Sequence, residues 1–221
     1  MRAGKRAGKG PGEADGNGRR RQADRRAESD RRMLRAAFPL IAAHGSKGVS
    51  MAQIGTAAGF SRGLPAERFG TKLRLLEAVV EATEAWFARR LVHILAGKSG
   101  CEALAARIVA HLESVRDSSE AAIALYQLMV EAMGSVPELR PRITQLNSNY
   151  CAGMMIHLRE AQAAGELRDG VDLEQHAMAI VSAMHGTAIQ AIIDGGAADL
   201  GERARYVAEI HVAAVRRPKG E

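Results

Sequence analysis

The sequence predicts an all-α protein, built as a small three-helix N-terminal domain with a helix-turn-helix and a larger C-terminal helical bundle. Three observations predict it. The 221 residues are 47% hydrophobic but only 4% aromatic, with Ala, Leu and Met abundant, which suits helices better than Val-, Tyr- and Thr-rich sheets. Apolar residues recur at helical spacing through most of the chain beyond residue 29. Between Val49 and Lys72, two short helical stretches flank a Gly turn and feed directly into a long amphipathic helix.

Length and charge set outer bounds. A chain of this size buries a sizeable core in one or two domains. The formal charge of +6 and a pI near 9.7 suit an anionic partner, nucleic acid before an anionic membrane. Cys101 and Cys151 make neither a CxxC pair nor a disulfide framework, so two helix-core thiols in a reducing cytoplasm are expected. No run approaches the ~18 consecutive apolar residues of a membrane span. The basic N-terminus lacks the apolar segment of a signal peptide, so a cytoplasmic protein without a membrane partner is expected.

Residues 1–28 hold nine basic and four acidic residues and no large apolar one beyond Met1. Such a segment buries too little surface to offset its ordering entropy, and it is predicted to be disordered. It reads either as a basic arm running along phosphates or as a solvated tail. The small domain is predicted over 29–75. Its first helix, Asp30 to His44, carries Leu34, Ala37, Phe38, Ile41 and Ala42 at helical spacing, with Phe38 as core anchor. Pro39 predicts a kink.

Ser50 with Gln53 forms a capping-box pattern for the next helix. Ile54, Ala57 and Ala58 give that helix its apolar face, and Gly59 stands where a left-handed residue ends it. Ser61 is then predicted to cap a second short helix closing near Phe69, with Pro65 in its first turn. Thr71 caps a helix over Lys72 to Leu95, about 36 Å at ~1.5 Å per residue. That is long enough to leave the small domain and enter a larger one over 76–217, near Trp86 and Phe87.

In the larger domain, helices are predicted over Cys101–Arg116, Ser119–Met133, Ile143–Ala164, Leu173–Ile193 and Asp199–Val215. The second of these is apolar nearly all round and is expected at the bundle's centre. Asp172 with Gln175 suggests another capping box. The Leu173–Ile193 helix is apolar on more than one face and needs burial on two sides. One side suits its own bundle and the other a second subunit. The predicted homodimer interface is Ala177, Ile180, Val181, Met184, Ala188, Ile192, Tyr206, Ile210 and Ala213.

Catalytic patterns are lacking: there is no HExxH, GxSxG, Walker loop or GxGxxG after a strand. His157, His176 and His185 do not fall at chelating spacing. No catalytic residue, metal or cofactor is expected. Met129, Met133, Met154 and Met184 with Tyr126, Tyr150, Trp86 and Phe87 read either as core filling or as an apolar pocket.

The string Ser50-Met51, Ile54, Ala57-Ala58-Gly59, Ser61-Arg62-Gly63 and Phe69-Gly70-Thr71-Lys72, with Leu75-Leu76 beyond, resembles the helix-turn-helix of the TetR family of transcriptional repressors. The resemblance implies a sequence-specific DNA-binding regulator acting on a pseudo-palindromic duplex operator. It favours reading the Met and aromatic residues as a small-molecule effector pocket, and it implies a homodimer. Ser50, Arg68, Thr71 and Lys72 are then expected near phosphates and Arg62, Gly63, Leu64 and Glu67 toward bases, with Met51 and Ser61 also in the DNA-binding set. The string departs from the family pattern at Ala66, Glu67 and Arg68, where an apolar residue, Tyr and His are usual. Two alternatives follow: a helical ligand-binding or interaction module with weakened DNA recognition, and a small helical enzyme with an apolar pocket.

Overall fold

The computed structural model describes residues 12–195 and 199–218; residues 1–11 of the expected arm lie outside them. Among the described residues there are nine α-helices: α1 (Gly12–His44), α2 (Met51–Ala57), α3 (Leu64–Phe69), α4 (Lys72–Ile94), α5 (Gly100–Asp117), α6 (Ser119–Met133), α7 (Arg140–Ala163), α8 (Leu173–Ile193) and α9 (Leu200–Val215). A 3-10 turn at Pro137–Leu139 leads into α7.

α1 corrects two expectations. It begins at Gly12 and not Asp30, so residues 12–28, expected to be disordered, form its first half. The stretch from Arg19 to Arg35 is dominated by Arg, a good helix former, and holds neither Gly nor Pro. Glu28 also draws in Arg31 at 2.6 Å and Arg35 at 3.3 Å, one and two turns on. At the other end the helix continues through Pro39 to His44. The fully buried row is Met33, Ala37 and Ile41, each four residues apart and so stacked on one face. Phe38, the expected anchor, sits on the neighbouring row and is only half-buried.

α2 has the predicted capping box: Ser50 Oγ accepts from the Gln53 N–H at 3.2 Å, and Gln53 accepts from the Ser50 N–H at 2.7 Å. Gly59 follows it at φ +76°, where L side chains are strained. Ser61 is not the cap of α3. The N-cap is Gly63, and Pro65 occupies the first turn, where its missing N–H is harmless. The Ser61 carbonyl instead receives the Leu64 N–H at 3.2 Å. Thr71 caps α4 by accepting from the Arg74 N–H at 3.2 Å.

α4 buries Leu75, Leu76, Val79 and Val80 in its first half and Phe87 and Leu91 further along, and so it belongs to both packing regions. α5, and not α6, is the central helix of the bundle: it packs on α4, α6, α7, α8 and α9. α6 lies against α1 and α4 as well and leaves Val130 and Met133 exposed. Just beyond the carboxyl end of α1, the Ser46 N–H donates to Glu131 of α6 at 3.0 Å. Asp172 caps α8 through the Glu174 and Gln175 N–H groups, half of the predicted box. Among the described residues α8 alone is long and apolar enough to cross a membrane; here it packs on α5, α7 and α9. Cys101 and Cys151 are both free thiols, the first buried and the second half-buried. Burial lifts the Cys101 thiol to about 11, which keeps it unreactive.

Candidate nucleic-acid interface and effector cavities

Gly55 sets how closely α3 lies on α2. A Cβ there would stand 2.6 Å from the Ser61 carbonyl oxygen and 3.0 Å from the Pro65 ring. Pro65 is consequently buried, and Ser61, Arg62, Gly63, Ala66 and Glu67 face outward with Leu64 half-buried. Ser50 and Thr71 are exposed, while Met51 and Lys72 are half-buried. Among the described residues neither Arg62 nor Glu67 makes an ion pair, so both are available on the outer surface. A guanidinium and a carboxylate can address guanine and the cytosine amino group respectively.

Arg68 corrects its expected role. Its guanidinium makes a bidentate pair with Asp30 of α1, at 2.8 and 2.6 Å, and its side chain is only 17% exposed. The hydrogen bond to Asp30 raises Arg68 above the ordinary guanidinium range. Arg32 of α1 acts in the same way, donating to the Ala58 carbonyl at 2.9 Å and lying 4.5 Å over the Phe60 ring. Both cations orient the helix-turn-helix on α1. Arg68→Ala should therefore destabilise the small domain by about 1–2 kcal/mol, the loss of a part-buried pair rather than a fully buried one. It should lower DNA affinity while leaving the slope of log affinity against log salt unchanged, since no phosphate contact is removed. DNA titrations at several salt concentrations check this.

The larger domain encloses a cluster of rings from five helices: Phe87, His111, Tyr126, Tyr150 and His185. Its centroids stand 5.1 Å (His111–Tyr150) to 6.4 Å (Phe87–Tyr150) apart. His111 Nε2 and the Tyr126 hydroxyl lie 3.3 Å apart. Burial holds His111 down to about 3 and His185 to about 4, so both are neutral at pH 7. Burial also pushes the Tyr126 and Tyr150 hydroxyls well up. The cluster is polar but uncharged.

Two cavities reach this cluster and another opens on the outer side of Trp86. The largest, about 650 Å³, lies between α1, α4 and the α5–α6 junction, with Leu34, Phe38 and Trp86 beside Arg31, Arg35 and Arg89. A void of about 30 Å³ behind Trp86 reaches Phe87, His111 and Tyr150. A third, about 290 Å³, runs along α4 on the other side past Phe87, Leu91, Arg107 and Tyr150. The two larger spaces fall at or within the ~300–1,000 Å³ of small-molecule sites.

Of the predicted pocket residues, Trp86, Phe87 and Tyr150 line these spaces and Tyr126 stands in the cluster. Met154 and Met184 are fully buried filling. Met129 is half-buried and lines none of the three, and Met133 is 70% exposed, a surface residue. Sequence reasoning missed His111 and Arg107. The available signal was a lone His at helical spacing within Leu104, Ile108, Leu112 and Val115. Among the described residues no three metal-ligating side chains converge. His157 faces Glu160 at 3.0 Å, and His176 faces the His211 carbonyl at 3.0 Å.

The predicted dimer residues divide. Ala177, Ile180, Val181, Met184 and Ala188 are buried within their own subunit and cannot also meet a partner. The most apolar stripe of α8 is the one its own bundle takes. The outward face is offset around the cylinder: Met178, Ala179, Ser182, Gly186, Gln190 and Ile193, with Ile192 half-buried beside it. On α9, Tyr206, Ile210 and Ala213 do point outward.

A small domain presenting a helix-turn-helix, joined by one long helix to a bundle with internal cavities, defines the class of two-domain helix-turn-helix transcription regulators. Residues 33–79 match the family described as bacterial regulatory proteins, tetR family, and residues 100–207 match the tetracyclin repressor-like C-terminal domain. The chain belongs to the TetR family of transcriptional regulators, typically DNA-binding repressors with a ligand-binding C-terminal domain. Among solved structures, it resembles the fatty acid degradation regulator FadR of Bacillus halodurans at 19% identity and TM-score 0.76, over 86% of this chain and 97% of that one. FadR of Bacillus subtilis, in complex with stearoyl-CoA, matches at 22% identity and TM-score 0.73, over 84% and 98%. A TetR transcription regulator of Haloarcula marismortui matches at 17% and 0.75, over 86% and 100%. At these identities the likeness is one of fold. Curated protein sequences give no match.

Proposed function

We propose that this protein is a homodimeric cytoplasmic repressor that a small, largely apolar effector releases from a pseudo-palindromic operator. The observation that carries the reading is α4: its first residue follows the cap beside α3, and its far half lines all three cavities. Arg62, Gly63, Leu64 and Glu67 address bases in the major groove. Ser50, Met51, Ser61, Thr71 and Lys72 hold the domain on phosphates. An effector wedged beside Trp86, Phe87 and Tyr150 tilts α4 and changes the separation of the two recognition helices. Gel-shift titration of the ligand-free protein on DNA upstream of its own gene tests this. Steeply salt-dependent, saturable binding is expected, and its absence would sink the reading.

The homodimer forms across the outer faces of α8 and α9. Those faces combine exposed Met178, Ile193, Tyr206 and Ile210 with small Ala179, Ser182 and Gly186, which permit close helix approach. A partner subunit on that face also accounts for the apolar surface of α8 without a lipid. Ile210→Asp should raise the dimer dissociation constant at least about tenfold, since it places a charge in an apolar contact. Sedimentation velocity across a concentration series reads it directly.

A second reading, a ligand-binding module with weakened DNA recognition, is favoured by outward-facing Ala66 and Glu67 on α3. Gain of DNA binding in Glu67→Tyr, with none in the parent, would select it.

A further inference from the structure

The cavity between α4, α5 and α7 holds a cation that nothing answers. Other partly buried arginines are paired: Arg68 with Asp30, Arg90 with Asp117 and Arg142 with Glu84. Arg107 has no ion-pair or hydrogen-bond partner among the described residues, and its Nε is buried. Its seat is specific, because Gly153 of α7 leaves the space the guanidinium occupies and any Cβ there would overlap it. Glu84 lines the same cavity, but both of its oxygens are taken, by Arg142 and by Asn149 at 2.5 Å each. It is turned toward Arg142, and no ion pair joins it to Arg107 among the described residues. An unpaired cation in a desolvated site is costly and suits an incoming anion, for which guanidinium is the fitted donor. The rest of the wall is Phe87, Ala88, Leu91 and Leu95, with the Tyr150 hydroxyl beside Arg107.

We propose that this cavity takes an amphipathic organic anion, its acid group paired with Arg107 and its apolar body laid along Phe87, Leu91 and Leu95. The inference rests on the effector-responsive reading above and names the ligand's chemical class. Octanoate, octanol and octylamine serve as probes for calorimetric titration of the full-length protein. Octanoate should bind at least about tenfold more tightly than octanol and more tightly still than octylamine. Arg107→Met should erase that preference while leaving octanol affinity as it was, and should melt no lower than the parent, since it removes an unpaired charge. Gly153→Ala, which keeps the charge but displaces it, should weaken octanoate alone.

Equal binding of acid and alcohol would overturn the proposal, as would octanoate affinity unchanged in Arg107→Met or no binding of any probe up to roughly 10 mM. A gel shift on the operator separates the two readings. If octanoate binds through Arg107 and the operator stays bound, the site stands and effector release fails. If octanoate fails while salt-dependent operator binding holds, the regulator stands and the anion site fails.

Discussion

Gly55→Val is expected to abolish operator binding while the larger domain stays folded. The reason is the position of the clash. The Cβ would meet a backbone oxygen, Ser61 O, at 2.6 Å and the Pro65 ring at 3.0 Å, and neither can swing aside as a flexible side chain would. α2 and α3 must separate, which costs on the order of 1–3 kcal/mol in overpacking and re-aims every outward residue of α3. A shift of about 1 Å in the placement of Arg62 and Glu67 is enough to lose bidentate base contacts worth ~1–3 kcal/mol each. Gly63→Ala is the matched control, because a Cβ at Gly63 meets nothing within 4 Å. Gly63→Ala should leave stability nearly unchanged, so any loss of affinity there originates at the DNA. DNA titrations and thermal melts of both variants decide the matter, and Gly55→Val with parental affinity would contradict the close approach of the two helices.

Acid should destabilise the protein steeply in a window set by its buried histidines. The groups facing His111 are Phe87 of α4, Arg107 of its own helix, Tyr126 of α6, Tyr150 of α7 and His185 of α8. None is a carboxylate, so none favours imidazolium. In the unfolded chain a His binds its proton near 6.5, but folded His111 waits until about 3 and His185 until about 4. Between those limits the unfolded state holds more protons, and stability falls as pH falls. At ~1.4 kcal/mol per unit of separation, each group removes about 3 kcal/mol between pH 7 and pH 4. Together that is comparable to the ~5–15 kcal/mol total stability of a typical domain. Glu160 and Glu166, held below the usual carboxylate range by hydrogen bonds from His157 and from the Cys101 N–H, act in the same direction. They do so only below about 4.5, which leaves pH 4.5–6.5 to the histidines. Urea-melt midpoints should fall as pH falls across that range, with little change in the slope of each melt. The double variant His111→Leu with Tyr126→Phe, which strands no hydroxyl, should flatten that dependence on pH in part, with His185 and the burial-depressed His176 and His211 carrying the rest.

Much of the fold is local and was legible. The Ser50–Gln53 box, the Gly59 terminus, the Thr71 cap and the long α4 each depend on residues within one or two turns. The row through Ala177, Ile180, Met184 and Ala188 was also legible as one buried face, although not which body buries it. A stripe reports apolarity, and a bundle and a partner subunit both ask for that. The features that escaped join distant residues. Arg68 and Asp30 are 38 apart in sequence, and an isolated Arg on a recognition helix looks like a phosphate ligand until α1 is placed beside it. His111, Tyr126 and His185 come together from three helices, and Arg107 reads as an ordinary surface cation until Gly153 is seen to accommodate it. The first half of α1 escaped for a different reason: the absence of large apolar residues argued against burial, whereas an Arg-rich exposed helix needs none.

α1 is anchored at two places, by Asp30 on Arg68 and just past its carboxyl end by Ser46 on Glu131. Those anchors make its second half a rigid rod, with the recognition helix held near the middle of α1 and the bundle at its carboxyl end. From Gly45 back to Asp30 the rod measures about 22 Å at ~1.5 Å per residue. A rotation of α6 by about 5° at the Glu131 end, carried along that length, moves α3 by about 2 Å. That is over half the ~3.4 Å spacing of one base step in the duplex. The bundle thus holds a second mechanical grip on the reading head through α1, which itself packs on both α4 and α6, so a push on either helix meets resistance from the other.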